Sequence, residues 1–193
     1  MWHIDIAEQS FRFDEDVMFQ MPHANILTYN GKHPELQSGV FVASGAQLIG
    51  DLKVGAETSI WFNTVIRADV HYIRIGARSN IQDNTTVHVT EGRAPCVIGN
   101  DVTIGHNAII HACTVEDLCL VGMGAIVLDH AVIRSGSLVG AGALVTQGRE
   151  FPPRSLIIGS PAKVVRQLTD AEYAELKESA RHYLATAKMY IGP

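Results

Sequence analysis

The sequence predicts an all-β solenoid, a parallel β-helix followed by one C-terminal α-helix. An aliphatic residue returns every sixth position from Val42 to Val145, with three interruptions, and six residues is not a helical period. A short side chain often stands four residues after the aliphatic, as at Ala46, Thr58 and Cys119. Glycine often follows the aliphatic directly, which suits a short strand that must turn a tight corner.

Each hexapeptide is interpreted as one side of a triangular coil. Three sides make a coil of about eighteen residues, and successive coils stack as parallel strands ~4.8 Å apart. No single repeat can bury its own apolar face, so stacking is what closes a continuous core. The period accounts for roughly six coils.

The repeat divides the chain into three segments. Residues 1–35 show no repeat and are predicted to be an N-terminal leader or arm, and residues 36–150 are predicted to form the β-helix. Residues 151–193 are predicted to be a linker and a helix that packs on the solenoid. The helix is expected to begin at the capping box Thr169-Asp170-Ala171-Glu172, after which apolar residues follow i, i+3, i+4 spacing.

Composition limits the classes of partner. The chain of 193 residues carries a net charge of −5, and its 15 lysines and arginines are scattered, which argues against a nucleic-acid or anionic-membrane partner. No apolar run approaches the ~20 residues that a membrane span needs, so a cytoplasmic protein is expected. The 3 cysteines lack CxxC spacing and are expected to be reduced residues of the core.

The interruptions of the period mark where a functional site is expected, because repeat scaffolds carry function on their loops. Three residues are inserted within RADVHYIRI, five are inserted within VHVTEGRAPCVI, and one is missing after Ile110. Counting through these breaks in hexad register places Arg67, His88 and His111 in one vertical column.

The histidine columns indicate a metal site shared between chains. Two imidazoles one coil apart, on backbones ~4.8 Å apart, can converge on a metal with bonds of ~2.0–2.1 Å, so His88 and His111 are a candidate ligand pair. His106 falls in a second column with Asp83, separated from His111 by on the order of 16 Å of extended chain. It cannot easily complete the site of its own chain. Packing three chains about a threefold axis would bring it to the His88 and His111 of a neighbour.

The same arrangement predicts an ion pair beneath the metal. Arg67 would face Asp83 of the neighbouring chain, and Asp69 would brace Arg67 within its own chain. A homotrimer therefore follows from the geometry of the ligands.

Four segments of the sequence are similar to those of the γ-class carbonic anhydrase family. They are Arg67-Ala68-Asp69, Asn80-Ile81-Gln82-Asp83-Asn84, His88, and Gly105-His106-Asn107-Ala108-Ile109-Ile110-His111. The likeness covers about residues 36–190 and includes Gly159-Ser160-Pro161-Ala162-Lys163, a segment that hexapeptide acyltransferases share.

The resemblance implies a left-handed parallel β-helix of hexapeptide repeats, an exception to the right-handed rule for parallel crossovers, assembled as a homotrimer. It implies a lyase activity, the reversible hydration of CO2 to bicarbonate by metal-bound hydroxide, with Zn2+ as the default ion and Fe2+ or Co2+ as alternatives. The implied metal ligands are His88, His106 and His111. The other implied site residues are Arg67, Asp69 and Asp83 in the interface network, and Gln82, which would orient the metal-bound solvent.

The sequence departs from the archaeal members of that family at the proton shuttle. Those members carry a glutamate directly after the RxD motif and another on a long acidic loop that follows the first ligand histidine. This chain has Val70 at the first position and the short loop of residues 90–95 at the second. Glu91 and Tyr72 are the candidates to take over the transfer of protons.

Three other functions remain open on the sequence. A hexapeptide acyltransferase shares the solenoid, the trimer and the 159–163 segment, and needs one histidine as general base rather than three in register. An acyl-CoA thioesterase would use the same metal hydroxide. A non-catalytic, metal-stabilised trimeric assembly module would use the leader or the C-terminal helix for docking. Acyl-CoA binding, metal content and the response of the trimer to chelation distinguish them.

Overall fold

The computed structural model describes residues 18–191 of the chain. Within that range the backbone forms short strands at regular intervals and ends in one long helix. In chain order the elements are β1 (Phe19–Gln20), β2 (Asn25–Leu27), β3 (Glu35–Leu36), β4 (Phe41–Val42), β5 (Gln47–Val54), β6 (Ser59–Ile60), β7 (Val65–Ile75), β8 (Asn80–Ile81), β9 (Thr86–His88), β10 (Cys96–Ile98), β11 (Thr103–Ile104), β12 (Ile109–His111), β13 (Thr114–Val115), β14 (Leu120–Val121), β15 (Ile126–Val127), β16 (Val132–Ile133), β17 (Leu138–Val139), β18 (Leu144–Val145), β19 (Glu150–Phe151), β20 (Ser155–Gly159), β21 (Ala162–Gln167) and α1 (Asp170–Ile191).

The strands stack in parallel on three sides of a solenoid, which confirms the predicted fold class. One side runs β1, β4, β6, β8, β11, β14, β17, β20 and is closed by the antiparallel β21. The second runs β2, β5, β7, β9, β12, β15, β18, and the third runs β3, β5, β7, β10, β13, β16, β19. β5 and β7 are long because each bends round a corner and serves two sides.

The periodic aliphatic residues form the core that the hexad pattern predicts. None of them is more than 4% exposed, and the short side chains four residues later are buried beside them. The core is continuous from Ala24 to Ala162 because each coil covers the apolar interior of the next.

The stack holds about eight coils, so the prediction of roughly six is wrong. At the N-terminal end Phe19 pairs with Phe41 and Ile26 pairs with Leu48, which adds a coil before the visible period. At the other end Ile157 pairs with Val139 and continues the stack. Chain inserted between β2 and β3 obscures the period in the first coil. The first 17 residues of the predicted leader lie outside the described part.

Most of the glycines that follow the core aliphatics are required by stacking rather than by the turn itself. A Cβ on Gly76 would lie 2.5 Å from the carbonyl carbon of Gly99 in the next coil. The left-handed backbone of the corner falls two residues later, at Arg78 after Gly76 and at Asn107 after Gly105, with φ of 54° and 57°. Adjacent coils therefore approach too closely at the glycine for any side chain.

Helix α1 begins at the predicted capping box and covers one side of the solenoid. The backbone N–H of Glu172 donates to Thr169 Oγ1 at 3.3 Å, and the Thr169 N–H donates back to the Glu172 carboxylate at 2.9 Å. The buried residues of the helix itself are Leu176, Ala180 and Ala187. Its C-terminal half adds tyrosines to an aromatic cluster around Trp61. No helix in the described range is long and apolar enough to cross a membrane.

The three cysteines are free and buried, which agrees with their predicted packing role. Burial raises the pKa of the Cys119 thiol to about 12. Contact with Cys96 and burial raise the pKa of the Cys113 thiol as well. Neutral thiols of this kind are poor nucleophiles and behave as small apolar side chains.

Candidate metal centre

His88 and His111 form the vertical pair that the hexad count predicts. They are direct partners across β9 and β12, and the rings are partly buried with centroids 5.2 Å apart. Nδ1 of His88 lies 3.2 Å from Nε2 of His111. Two ligands of one tetrahedral metal with ~2.05 Å bonds have their nitrogens about 3.3 Å apart, so the pair has the spacing of two ligands.

Each histidine of the pair is backed by a carboxylate. Nδ1 of His111 is 2.6 Å from Oδ1 of Asp129, and Nε2 of His88 is 3.1 Å from Oδ1 of Asp69. Arg67 bonds the other oxygen of Asp69, so the predicted brace within the chain is present. Such partners fix the orientation of an imidazole and raise its basicity toward a metal.

Charge and burial compete at these groups. Partial burial disfavours ionised Asp69, but bonds from Arg67 and His88 outweigh it and hold the pKa of Asp69 below its usual range. Partial burial is likewise outweighed at Asp129, whose pKa is lowered by bonds from Thr90 and His111. Burial lowers the pKa of His88 despite the hydrogen bond to Asp69, which favours the neutral imidazole that a metal binds.

His106 lies in a second column, as predicted. Its Nδ1 is 2.7 Å from Asp83 Oδ2, and the backbone N–H of Asn107 donates to the carbonyl of Asp83. Between residues 18 and 191, no three histidine, cysteine, aspartate or glutamate side chains are arranged to hold a metal. In the described part of one chain, His106 therefore does not join His88 and His111 in a three-ligand site.

Three of the predicted site residues bond other partners within the single chain. The amide of Gln82, which is 3% exposed, donates from Nε2 to Oδ1 of Asn80 at 3.0 Å. Asp83 bonds His106 and Arg67 bonds Asp69, so the structure does not join Arg67 to Asp83 within one chain. The roles of Gln82 in orienting solvent and of Arg67 and Asp83 in an intersubunit pair stay predictions.

The candidate proton-transfer residues lie at the surface. Tyr72 is 37% exposed, and the guanidinium of Arg74 sits 4.6 Å from the centre of its ring. Glu91 is exposed on the loop that a bridge between Thr90 and Ala94 closes. Neither side chain is hydrogen-bonded to the histidine pair in the described structure.

Sequence reasoning missed Asp129 and Thr90. Thr90 Oγ1 donates to Asp129 Oδ2 at 2.5 Å, and the other oxygen of Asp129 bonds His111. The available signal was positional, because Asp129 follows Leu128, the residue one coil beyond His111 in the same column. The bond from Thr90 spans 39 residues and depends on the path of the loop, which the period does not give.

The residues present fit a divalent metal ion by donor chemistry. The Nδ1 bonds of His111 and His106 to carboxylates leave Nε2 of each ring as the nitrogen with a free lone pair. Neutral imidazoles with carboxylate partners are the usual protein ligands for zinc and similar ions.

Fold and site together define a hexapeptide-repeat solenoid that carries a stacked pair of histidines on adjacent coils. No protein-family model matches the sequence. The chain is 44% identical over 165 residues to a carbonic anhydrase of Geobacillus kaustophilus, covering 86% of this chain and 90% of that protein. It is 43% identical over 173 residues to mitochondrial gamma carbonic anhydrase 2 of Arabidopsis thaliana, covering 87% of this chain. The chain belongs to the gamma carbonic anhydrase family.

Two further comparisons limit what membership of the family says about the function of this chain. The chain spans 62% of the length of the Arabidopsis relative. A solved Bacillus cereus structure, described provisionally as an acetyltransferase, matches with a TM-score of 0.85 and 42% identity, covering 87% of this chain and 97% of that one. The same fold thus carries two different functional descriptions among relatives of similar identity.

Proposed function

We propose that the chain forms a homotrimeric carbonic anhydrase that interconverts CO2 and bicarbonate at three sites between its subunits. In each site His88 and His111 of one chain and His106 of its neighbour would hold Zn2+, or else Fe2+ or Co2+. The observation that carries the proposal is the 3.2 Å separation of the His88 and His111 ring nitrogens.

A divalent ion in this position would supply Lewis-acid activation of water for attack on CO2. The chain's own contribution is to hold the ligands ready. Asp129 keeps the proton of His111 on Nδ1, and Asp83 does the same for His106. One oxygen of Asp69 bonds Arg67 and the other bonds His88, which holds His88 in position.

The remaining residues would act on solvent and protons. Hydration of CO2 releases one proton for each bicarbonate, and that proton must reach solvent. Glu91 lies on the loop that follows His88, Tyr72 lies on β7 after Asp69, and both are exposed, so they are the candidates to pass it on. Gln82 would orient the reacting solvent, and Arg67 would pair with Asp83 of the neighbour.

Metal content and molar mass test the proposal together. The protein would be purified anaerobically, analysed for elements and weighed by light scattering, alongside His106→Ala and the exposed control His130→Ala. We expect a trimer with about one zinc, iron or cobalt per chain, lost in His106→Ala and kept in the control. A metal-free trimer in the parent protein would refute the metal site.

Activity is tested separately on the loaded protein. CO2 hydration would be followed for the zinc and the iron forms, with and without Glu91→Gln and Tyr72→Phe. A rate no higher than that of buffer alone would remove the enzymatic proposal and leave the metal-stabilised assembly module. Dissociation of the trimer on chelation would then support that module.

An acyl-transfer function is the second candidate, because the Bacillus cereus structure of similar identity is described provisionally as an acetyltransferase. Its test is calorimetry with acetyl-CoA on metal-free protein. Tight binding without metal would favour a transferase with one histidine as general base, and metal-dependent hydrolysis of the thioester would favour a thioesterase. If neither the metal-free nor the metal-loaded protein binds acetyl-CoA, both the transferase and the thioesterase functions are excluded.

A further inference from the structure

We infer that Asp129, locked by Thr90, is a positioning residue that sets the tautomer and the angle of His111. The inference rests on the proposed metal site. Oδ1 of Asp129 is 2.6 Å from Nδ1 of His111, and Oδ2 accepts a hydrogen bond from Thr90 Oγ1 at 2.5 Å. Both carboxylate oxygens are thereby engaged, so the group cannot rotate without losing a bond.

The chemistry of the pair dictates the tautomer. An ionised carboxylate only accepts hydrogen bonds, so the contact with Asp129 requires the proton of His111 on Nδ1. In the neutral ring, Nε2 then carries the lone pair, and this is the atom that faces His88 at 3.2 Å. Loss of the carboxylate would allow the proton to move to Nε2, where it would block a metal.

Thr90 connects this device to the inserted loop. It lies two residues after His88 and closes the loop through its bridge to Ala94. One hydroxyl therefore joins the backbone that carries the first histidine to the carboxylate that orients the second. Asp69 is held in a comparable way, with one oxygen on His88 and the other on Arg67, but that brace lies on β7 rather than on the loop that Thr90 closes.

The test combines zinc affinity with the protonation of the ring. Affinity would be measured by competition with a chromophoric chelator, and the tautomer of His111 by nitrogen-15 NMR of the metal-free protein. The variants are Asp129→Asn, Thr90→Val, Thr90→Ser and His111→Ala, with Asp101→Asn as control, since Asp101 pairs with Arg78 at another corner.

We expect Asp129→Asn to weaken zinc binding by about 10- to 100-fold and to reduce protonation at Nδ1. Thr90→Val should move both quantities less, in the same direction, and Thr90→Ser should restore them. Affinity within about twofold of the parent, with Nδ1 still protonated in Asp129→Asn and Thr90→Val, would overturn the inference. The Thr90 variants decide alone if Asp129→Asn does not fold. Unchanged affinity in His111→Ala would instead remove the metal site on which the inference rests.

Discussion

His88 and His111 are partners in register across two adjacent parallel strands, with Nδ1 of one 3.2 Å from Nε2 of the other. His106 is not part of this pair and is bonded to Asp83 at the neighbouring corner. The division of three histidines between two edges of one solenoid makes the proposed site testable by mixing chains.

Mixed trimers should recover metal that neither parent variant binds. His106→Ala supplies intact His88 and His111, and His111→Ala supplies intact His106, so random 1:1 trimers should regain about a quarter of their sites. Metal per chain after co-expression and removal of free ions is the measurement. A mixture of His88→Ala with His111→Ala is the matched control and should recover nothing, because both changes damage the same edge. Recovery in neither mixture would contradict a ligand set shared between chains.

A second prediction tests the packing of the hydrophobic core at two adjacent isoleucines of β20. Ile157 is fully buried, whereas Ile158 is 44% exposed. Ile157→Ala should lower the free energy of unfolding by about 2–5 kcal/mol through lost burial and a cavity. Ile158→Ala removes the same atoms and should cost much less. Urea unfolding of the two variants measures the difference, and equal losses would show that the last coil is not packed as described.

The predictable part of this fold is the part that depends on periodicity. An aliphatic residue every six positions fixes the coil, and the coil fixes which residues stack, so Ile110 over Val87 and His111 over His88 followed from counting. The first coil could not be counted, because inserted chain separates Ile26 from Leu36. Asp129 was missed for a different reason, since its partner Thr90 is placed by a loop rather than by the repeat.

Substitution of a stacking glycine by alanine is predicted to destabilise the protein by an amount that depends on which atoms of the next coil lie against it. Gly76→Ala would place a Cβ 2.5 Å from the backbone of Gly99. Gly140→Ala would come nearest to the flexible side chain of Ile158, at 3.2 Å, and would meet backbone only at an ordinary contact distance of 3.6 Å. Gly76→Ala should therefore destabilise the protein by about 1–3 kcal/mol through strain, and Gly140→Ala by less. Thermal unfolding at matched concentration measures both. The same melting temperature for the two variants would contradict the close approach of the coils at Gly76.

The docking of the helix should depend on acid through Glu172. Hydrogen bonds from Arg166 and from Thr169 hold its pKa at about 2, below the usual value of 4.5. Because the folded pKa is depressed, ionised Glu172 stabilises the docked helix fully above about pH 4.5, and this contribution is lost as the pH falls toward about 2. Glu172→Gln should therefore remove part of the acid sensitivity of the helix, whereas Glu175→Gln on the same helix should leave it unchanged.

Trp61 provides the signal for that experiment, because Tyr183 and Tyr190 of the helix pack with ring centroids 5.4 and 5.6 Å from it. Its fluorescence would be followed between pH 6 and pH 2 in a Trp2→Phe background, which leaves Trp61 as the remaining tryptophan. Undocking of the helix exposes the indole to water and shifts its emission to the red. In the parent, part of this shift should follow the protonation of Glu172 as the pH falls, and that part should be missing in Glu172→Gln. Identical acid profiles for the parent and Glu172→Gln would show that other carboxylates control the helix, since Glu172 would then contribute nothing that protonation can remove.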